Sequence, residues 1–156
     1  MQKTSSLKGK KKLKKEWLLL ICEEEKIINI EEVCGLSVED YGQMDGYKVT
    51  TTKHTYYVLI DNFQQCCEHF GYFVSEDDPN QFVGANLLEI RLTDTALNNK
   101  KLEEYGINYE YAMIQFVDFV TDKGVFQIAV YNEHNGYYGH DIVILKDNVV
   151  WFGKIL

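Results

Sequence analysis

The sequence has little punctuation and no long hydrophobic stretch. Pro79 is its only proline and Arg91 its only arginine, which excludes collagen-like and proline-rich low-complexity architectures. The longest uninterrupted apolar run, Trp17 to Cys22, is far below the roughly 20 residues that span a bilayer as a helix. It is also shorter than the roughly 7–15 apolar residues of a secretory signal. A cytoplasmic protein without a membrane-spanning helix is therefore expected. There is no glycine-rich phosphate loop, no nucleophile elbow, no His-Glu-x-x-His helix and no Cys-x-x-Cys pair. The linear signatures of nucleotide binding, serine hydrolysis and common zinc sites are thus missing.

What remains is a chain of 156 residues, 46% hydrophobic and 13% aromatic, enough for one core of ordinary size. Its net charge of −8 hides two regions of opposite sign. Residues 1–15 carry seven lysines and no acid, which leaves nine basic and 24 acidic side chains on residues 16–156, a formal −15. The expected organisation is a basic leader over 1–15 followed by a single acidic domain over 16–156. A body of that sign is unsuited to gripping a phosphate backbone, where affinity comes from lysine and arginine displacing counterions. The leader reads as a solvated like-charge block or as a basic arm.

Periodicity predicts an α+β, mainly β fold: an antiparallel meander sheet with one internal helix and an N-terminal helix as a further option. The N-terminal helix would run from about Lys10 to Glu25 on the spacing of Leu13, Trp17, Leu20 and Ile21, although its charges oppose the helix dipole. Tyr47 to Thr52 and Thr55 to Ile60, rich in β-branched and aromatic residues, suggest a hairpin around Lys53-His54, with Ile27 to Cys34 alongside. Phe70 to Val74 and Leu87 to Leu92 are further short strands. The internal helix is expected between Asp94 as cap and Gly106 as left-handed stop. Ala112 to Val120, Gly124 to Asn132 and Tyr138 to Leu145 follow, and Val149 to Phe152 closes the series. Asn135-Gly136 is a strong hairpin signal. A two-residue turn there would set Tyr131 opposite His140, with Phe126, Ile128, Val130, Val143 and Leu145 on one core face.

Two segments stand out chemically. Cys66-Cys67-Glu68-His69, with Tyr72 close by, and His134-Asn135-Gly136-Tyr137-Tyr138-Gly139-His140 hold three of the four histidines and two of the four cysteines. If they meet, Cys66, Cys67, Glu68, His69, Tyr72, His134, Asn135, Tyr137, Tyr138 and His140 form one candidate binding pocket. The spacing argues against a metal centre. Adjacent strand residues point to opposite faces, so both cysteines would not reach one ion, and His134 and His140 flank a turn rather than sharing a helix face. A thiolate nucleophile with a histidine base is conceivable but has no linear signature. No catalytic residue, metal or cofactor is assigned. The bland alternative is a set of small buried cysteines, a hydrogen-bonded histidine and tyrosines covering a sheet.

The order of Cys66-Cys67-Glu68, Phe82-Val83-Gly84-Ala85 and Asn135-Gly136-Tyr137-Tyr138 resembles an uncharacterised domain-of-unknown-function family of bacteria and their phages, over about Val49 to Leu145. That resemblance implies no activity, but it implies a setting in which small acidic proteins act as stoichiometric inhibitors. The expected function is therefore a non-catalytic, phage-type interaction protein with a basic partner surface, such as an inhibitor of a host nucleic-acid-binding or defence enzyme, for example a CRISPR nuclease. The alternative is a small-molecule- or metal-binding domain using the two segments as one pocket.

Overall fold

The computed structural model of the chain describes residues 23–134 and 136–156. Nine strands carry the fold: β1 (Ile27–Val38), β2 (Gly42–Thr51), β3 (Thr55–Asp61), β4 (His69–Val74), β5 (Leu87–Thr93), β6 (Ala112–Thr121), β7 (Gly124–Glu133), β8 (Asp141–Lys146) and β9 (Val149–Ile155). A 3-10 turn spans Pro79–Phe82, and the single α-helix among the described residues, α1, spans Asn99–Glu104. The strands form two antiparallel sheets, ordered β1-β2-β3-β8-β9 and β4-β7-β6-β5. The mainly β, antiparallel organisation with one short internal helix agrees with the sequence reading, with the strands divided between two sheets.

The sheets face each other across the main core. Val49, Val58, Ile60, Ile142 and Ile144 of the five-stranded sheet meet Val117, Phe119, Phe126, Ile128 and Val130 of the four-stranded one. Phe119 and Phe126 stack with centroids 4.9 Å apart, and burying each such ring contributes about 1.5–3 kcal/mol. Both outer faces are also partly covered. Leu102 of α1 and Ile107 pack on Phe73, Phe116 and Ala129. On the opposite side Met44, Leu59, Val143 and Leu145 are packed by Val33, Leu36 and Tyr41. Burial on both faces explains why Tyr56 to Ile60 is a nearly continuous apolar run rather than an alternating one.

Several local devices set the register. The β2–β3 hairpin closes at Lys53-His54, where the Thr51 hydroxyl accepts from both backbone N–H groups. Asp147 and Asn148 both have positive φ at the β8–β9 turn. A bulge between Val33 and Leu36 bends β1, and there the Gly35 N–H donates to the Asp45 carboxylate at 2.7 Å.

Three expectations change. The helix is shorter than Asp94 to Gly106: its cap is Asn98, whose side chain accepts from the Lys100 N–H, while Gly106 does adopt the left-handed stop at φ +65°. Asp94 lies in the preceding loop, where its carbonyl accepts from the Tyr109 hydroxyl. Asn135-Gly136 does not close a β7–β8 hairpin, because β7 is already paired with β4 on one edge and β6 on the other. Tyr131 pairs with Gly71 and Ile114 instead of His140, and residues 134–140 carry the chain to the other sheet, where β8 joins β3. The β8 faces exchange accordingly. Ile142 and Ile144 join the main core with Phe126, while Val143 and Leu145 face outward. The possible helix over Lys10 to Glu25 falls largely outside the described residues, and Glu23 to Glu25 are not helical. Among the described residues no helix is long and apolar enough to cross a membrane.

Candidate functional site

The two unusual segments meet where the chain crosses between the sheets. Cys66, Cys67 and Glu68 occupy the loop leading into β4, and His134 to His140 form the crossing that leads into β8. Their junction is His140, whose side chain is wholly buried. Its Nε2 lies 3.0 Å from Glu68 Oε1 and its Nδ1 2.8 Å from Asp61 Oδ1. Both ring nitrogens are therefore engaged by carboxyl groups. Phe70 stacks on the imidazole at 3.8 Å between centroids. The His140 backbone exchanges two hydrogen bonds with Leu156, each 2.9 Å, and the buried Asn132 amide donates to the carbonyls of Tyr138 and Leu156.

Glu68 is the second half of this junction. Burial pushes its carboxyl up, but N–H groups of Gln65 and Cys66 at 2.6 and 2.9 Å, together with the His140 ring, outweigh it and hold the carboxyl at about 2. Hydrogen bonds to the charged form act in that direction. Asp61 completes the arrangement by also accepting from the Asp141 N–H at 2.7 Å. The sequence reading missed Asp61 because it belongs to neither segment. Its position at the end of β3, the strand that β8 joins, was invisible while β8 was assigned to β7.

Above this floor lies an open cleft of about 320 Å³ lined by Cys67, Glu68, Tyr111, Glu133, His134 and Tyr138. Four of the ten candidate residues are therefore brought together here. Cys66 sits beside Tyr138, and that neighbouring thiol raises the phenol above its usual range. His140 lies beneath, and His69 lies at the rim, its Nδ1 3.5 Å from Glu133 and its Nε2 3.4 Å from the Tyr131 hydroxyl. Tyr137 projects into solvent, 80% exposed. Tyr72 does not belong to the cleft: it points into the sandwich, donates to Glu32 at 2.5 Å and meets the edge of Tyr47. Asn135 lies outside the described residues. Tyr111 and Glu133 were absent from the candidate set. The β6–β7 hairpin register, which pairs Ala112 with Glu133, carries the signal that places Tyr111 next to His134.

The His140 ring is buried, with its two nitrogens engaged by Asp61 and Glu68. The Cys67 thiol is pushed up by its neighbour Cys66, which disfavours the nucleophilic thiolate. No three His, Cys, Asp or Glu side chains converge as a metal-binding group among the described residues. A further cleft of about 280 Å³ between β5 and β9, walled by Tyr56, Leu87, Ile90 and Trp151, contains none of the candidate residues.

No curated protein and no solved structure matches the chain. Residues 7–144 do match a family, a span that takes in part of the lysine-rich segment left outside the sequence resemblance, and the chain belongs to that family, the domain of unknown function DUF7448.

Proposed function

We propose that this protein is a non-catalytic interaction protein that engages a partner through a basic surface on that partner. The observation carrying this reading is the uncancelled charge of the folded body. The described residues hold nine basic and 23 acidic side chains, and Lys26, Lys48, Arg91 and Lys101 are already paired with carboxylates of the same chain. Around α1, Asp77 and Glu104 share the single ammonium of Lys101, with Glu76, Asp78 and Glu103 close by in sequence. Such a surface steers encounter with a positive groove and makes the association sensitive to salt. A nucleic-acid-binding channel is a partner of that kind, so inhibition of a host nucleic-acid-binding or defence enzyme of a phage's host, a CRISPR nuclease for example, is the finer form of the proposal.

Titration of the full chain against candidate nucleic-acid enzymes at roughly 50 and 500 mM salt tests it, since exposed charges are screened within about 10 Å at 0.1 M. Binding that weakens with salt and is displaced by nucleic acid supports the reading. Association indifferent to salt, or none, removes it.

The alternative pocket reading gains one observation, the meeting of the two segments at Glu68 and His140. Because that histidine is buried and engaged on both nitrogens, the junction acts as a structural pin, and the cleft above it is open to a ligand.

A further inference from the structure

We propose that the cleft lined by Cys67, Glu68, Tyr111, Glu133, His134 and Tyr138 receives a lysine or arginine side chain presented by the partner protein. This deepens the interaction reading above and rests on it. The cleft has two aromatic walls, Tyr111 and Tyr138, and carboxylates of Glu68 and Glu133. Neither carboxylate is ion-paired with a lysine or arginine among the described residues: Glu68 faces His140 and Glu133 faces His69. Glu68 is buried at the floor, whereas the Glu133 side chain keeps 26% of its surface open.

Aromatic faces together with an unneutralised carboxylate favour an organic cation, which gains from the ring quadrupole and from the charge. An anionic or wholly apolar ligand would meet the same carboxylates at a cost. His134 lines the same cleft, its Nδ1 accepting from the Gly136 N–H at 2.8 Å. A basic residue within a peptide suits this lining, with its side chain toward Glu133 and against the tyrosine rings.

The probe is the peptide acetyl-Gly-Arg-Gly-amide, with citrulline replacing arginine as the uncharged twin, titrated into the isotopically labelled full chain and followed by amide chemical shifts. Expected are saturable shifts at Glu133, His134 and Tyr138, and binding weaker by roughly tenfold for the citrulline peptide and for Glu133→Gln. Tyr138→Leu, which keeps the backbone carbonyl that Asn132 uses, should weaken it as well. Equal binding of the two peptides, or shifts centred on Glu76 to Asp78 that survive Glu133→Gln, overturns the assignment. Salt-sensitive partner binding that survives both substitutions also overturns it while leaving the broader interaction reading in place. A positive peptide titration without any basic partner supports the cleft and counts against the broader reading alone.

Discussion

Replacing His140 by phenylalanine tests the buried junction most directly. Phenylalanine keeps an aromatic ring to stack on Phe70, whose centroid is 3.8 Å from that of the imidazole, and it leaves the backbone pairing with Leu156 untouched. It removes the two ring nitrogens 2.8 and 3.0 Å from Asp61 and Glu68. Each hydrogen bond to a charged group contributes about 1.5–3 kcal/mol, and taking one partner from a buried ionic group costs about 3–5 kcal/mol because the remaining charges lose their donors. His140→Phe should therefore lose about 3–5 kcal/mol, a fall in Tm of roughly 10 °C for a domain of this size. Urea unfolding followed by circular dichroism would show a lower midpoint with an unchanged slope. Adding Glu68→Gln, which removes the stranded charge but retains an oxygen for only one of the Gln65 and Cys66 N–H groups, should still be less damaging than the sum of the two single changes. A loss for His140→Phe below about 1 kcal/mol, the range of an exposed pair, would refute the view that this histidine pins the crossing.

Two further outcomes follow from the same geometry. Because the folded carboxyl of Glu68 is held at about 2, below its ordinary 4.5, its stabilisation is complete above about pH 4.5 and disappears as pH falls toward 2; urea midpoints measured across that interval should decline, and Glu68→Gln should flatten that part of the decline. At Gly46 an added Cβ would lie 2.0 Å from the Val58 carbonyl oxygen, so Gly46→Ala should push β2 from β3 and cost about 3 kcal/mol or more, whereas a thermal midpoint equal to that of the wild type would show that the strands can separate freely.

Strand positions were legible because β-branched and aromatic residues cluster where the sheets are buried, as in Tyr56 to Ile60 and Phe126 to Val130. The stop at Gly106 was legible because left-handed backbone favours glycine. The helix start was not, since Asp94 and Asn98 both cap well, and Asp94 accepts instead from the Thr95 and Tyr109 hydroxyls. Asn135-Gly136 misled for a different reason. A turn signal reports local backbone preference, while pairing depends on whether the neighbouring strand has a free edge, and β4 takes the edge of β7 that β8 would need. The same error concealed Asp61. Cys67, Glu68, His134 and Tyr138 could be selected for their chemistry, but their meeting depends on two sheets stacking, for which spacing along the chain gives no sign.

The crossing at residues 134–140 also shapes how the chain folds. The four-stranded sheet contains the β6–β7 hairpin, whose Thr121 and Gly124 are near neighbours in sequence. The five-stranded sheet, in contrast, needs β8 to reach β3, and the contact between His140 and Asp61 at the start of that pairing closes 79 residues of chain. Closing so long a loop carries an entropic cost before its contacts form, and such non-local pairings slow folding. The β1–β2–β3 and β6–β7 hairpins close short loops, so the β3–β8 seam, with the larger closure cost, is expected to form after them. The imidazole between its two carboxylates is then a latch on that long closure.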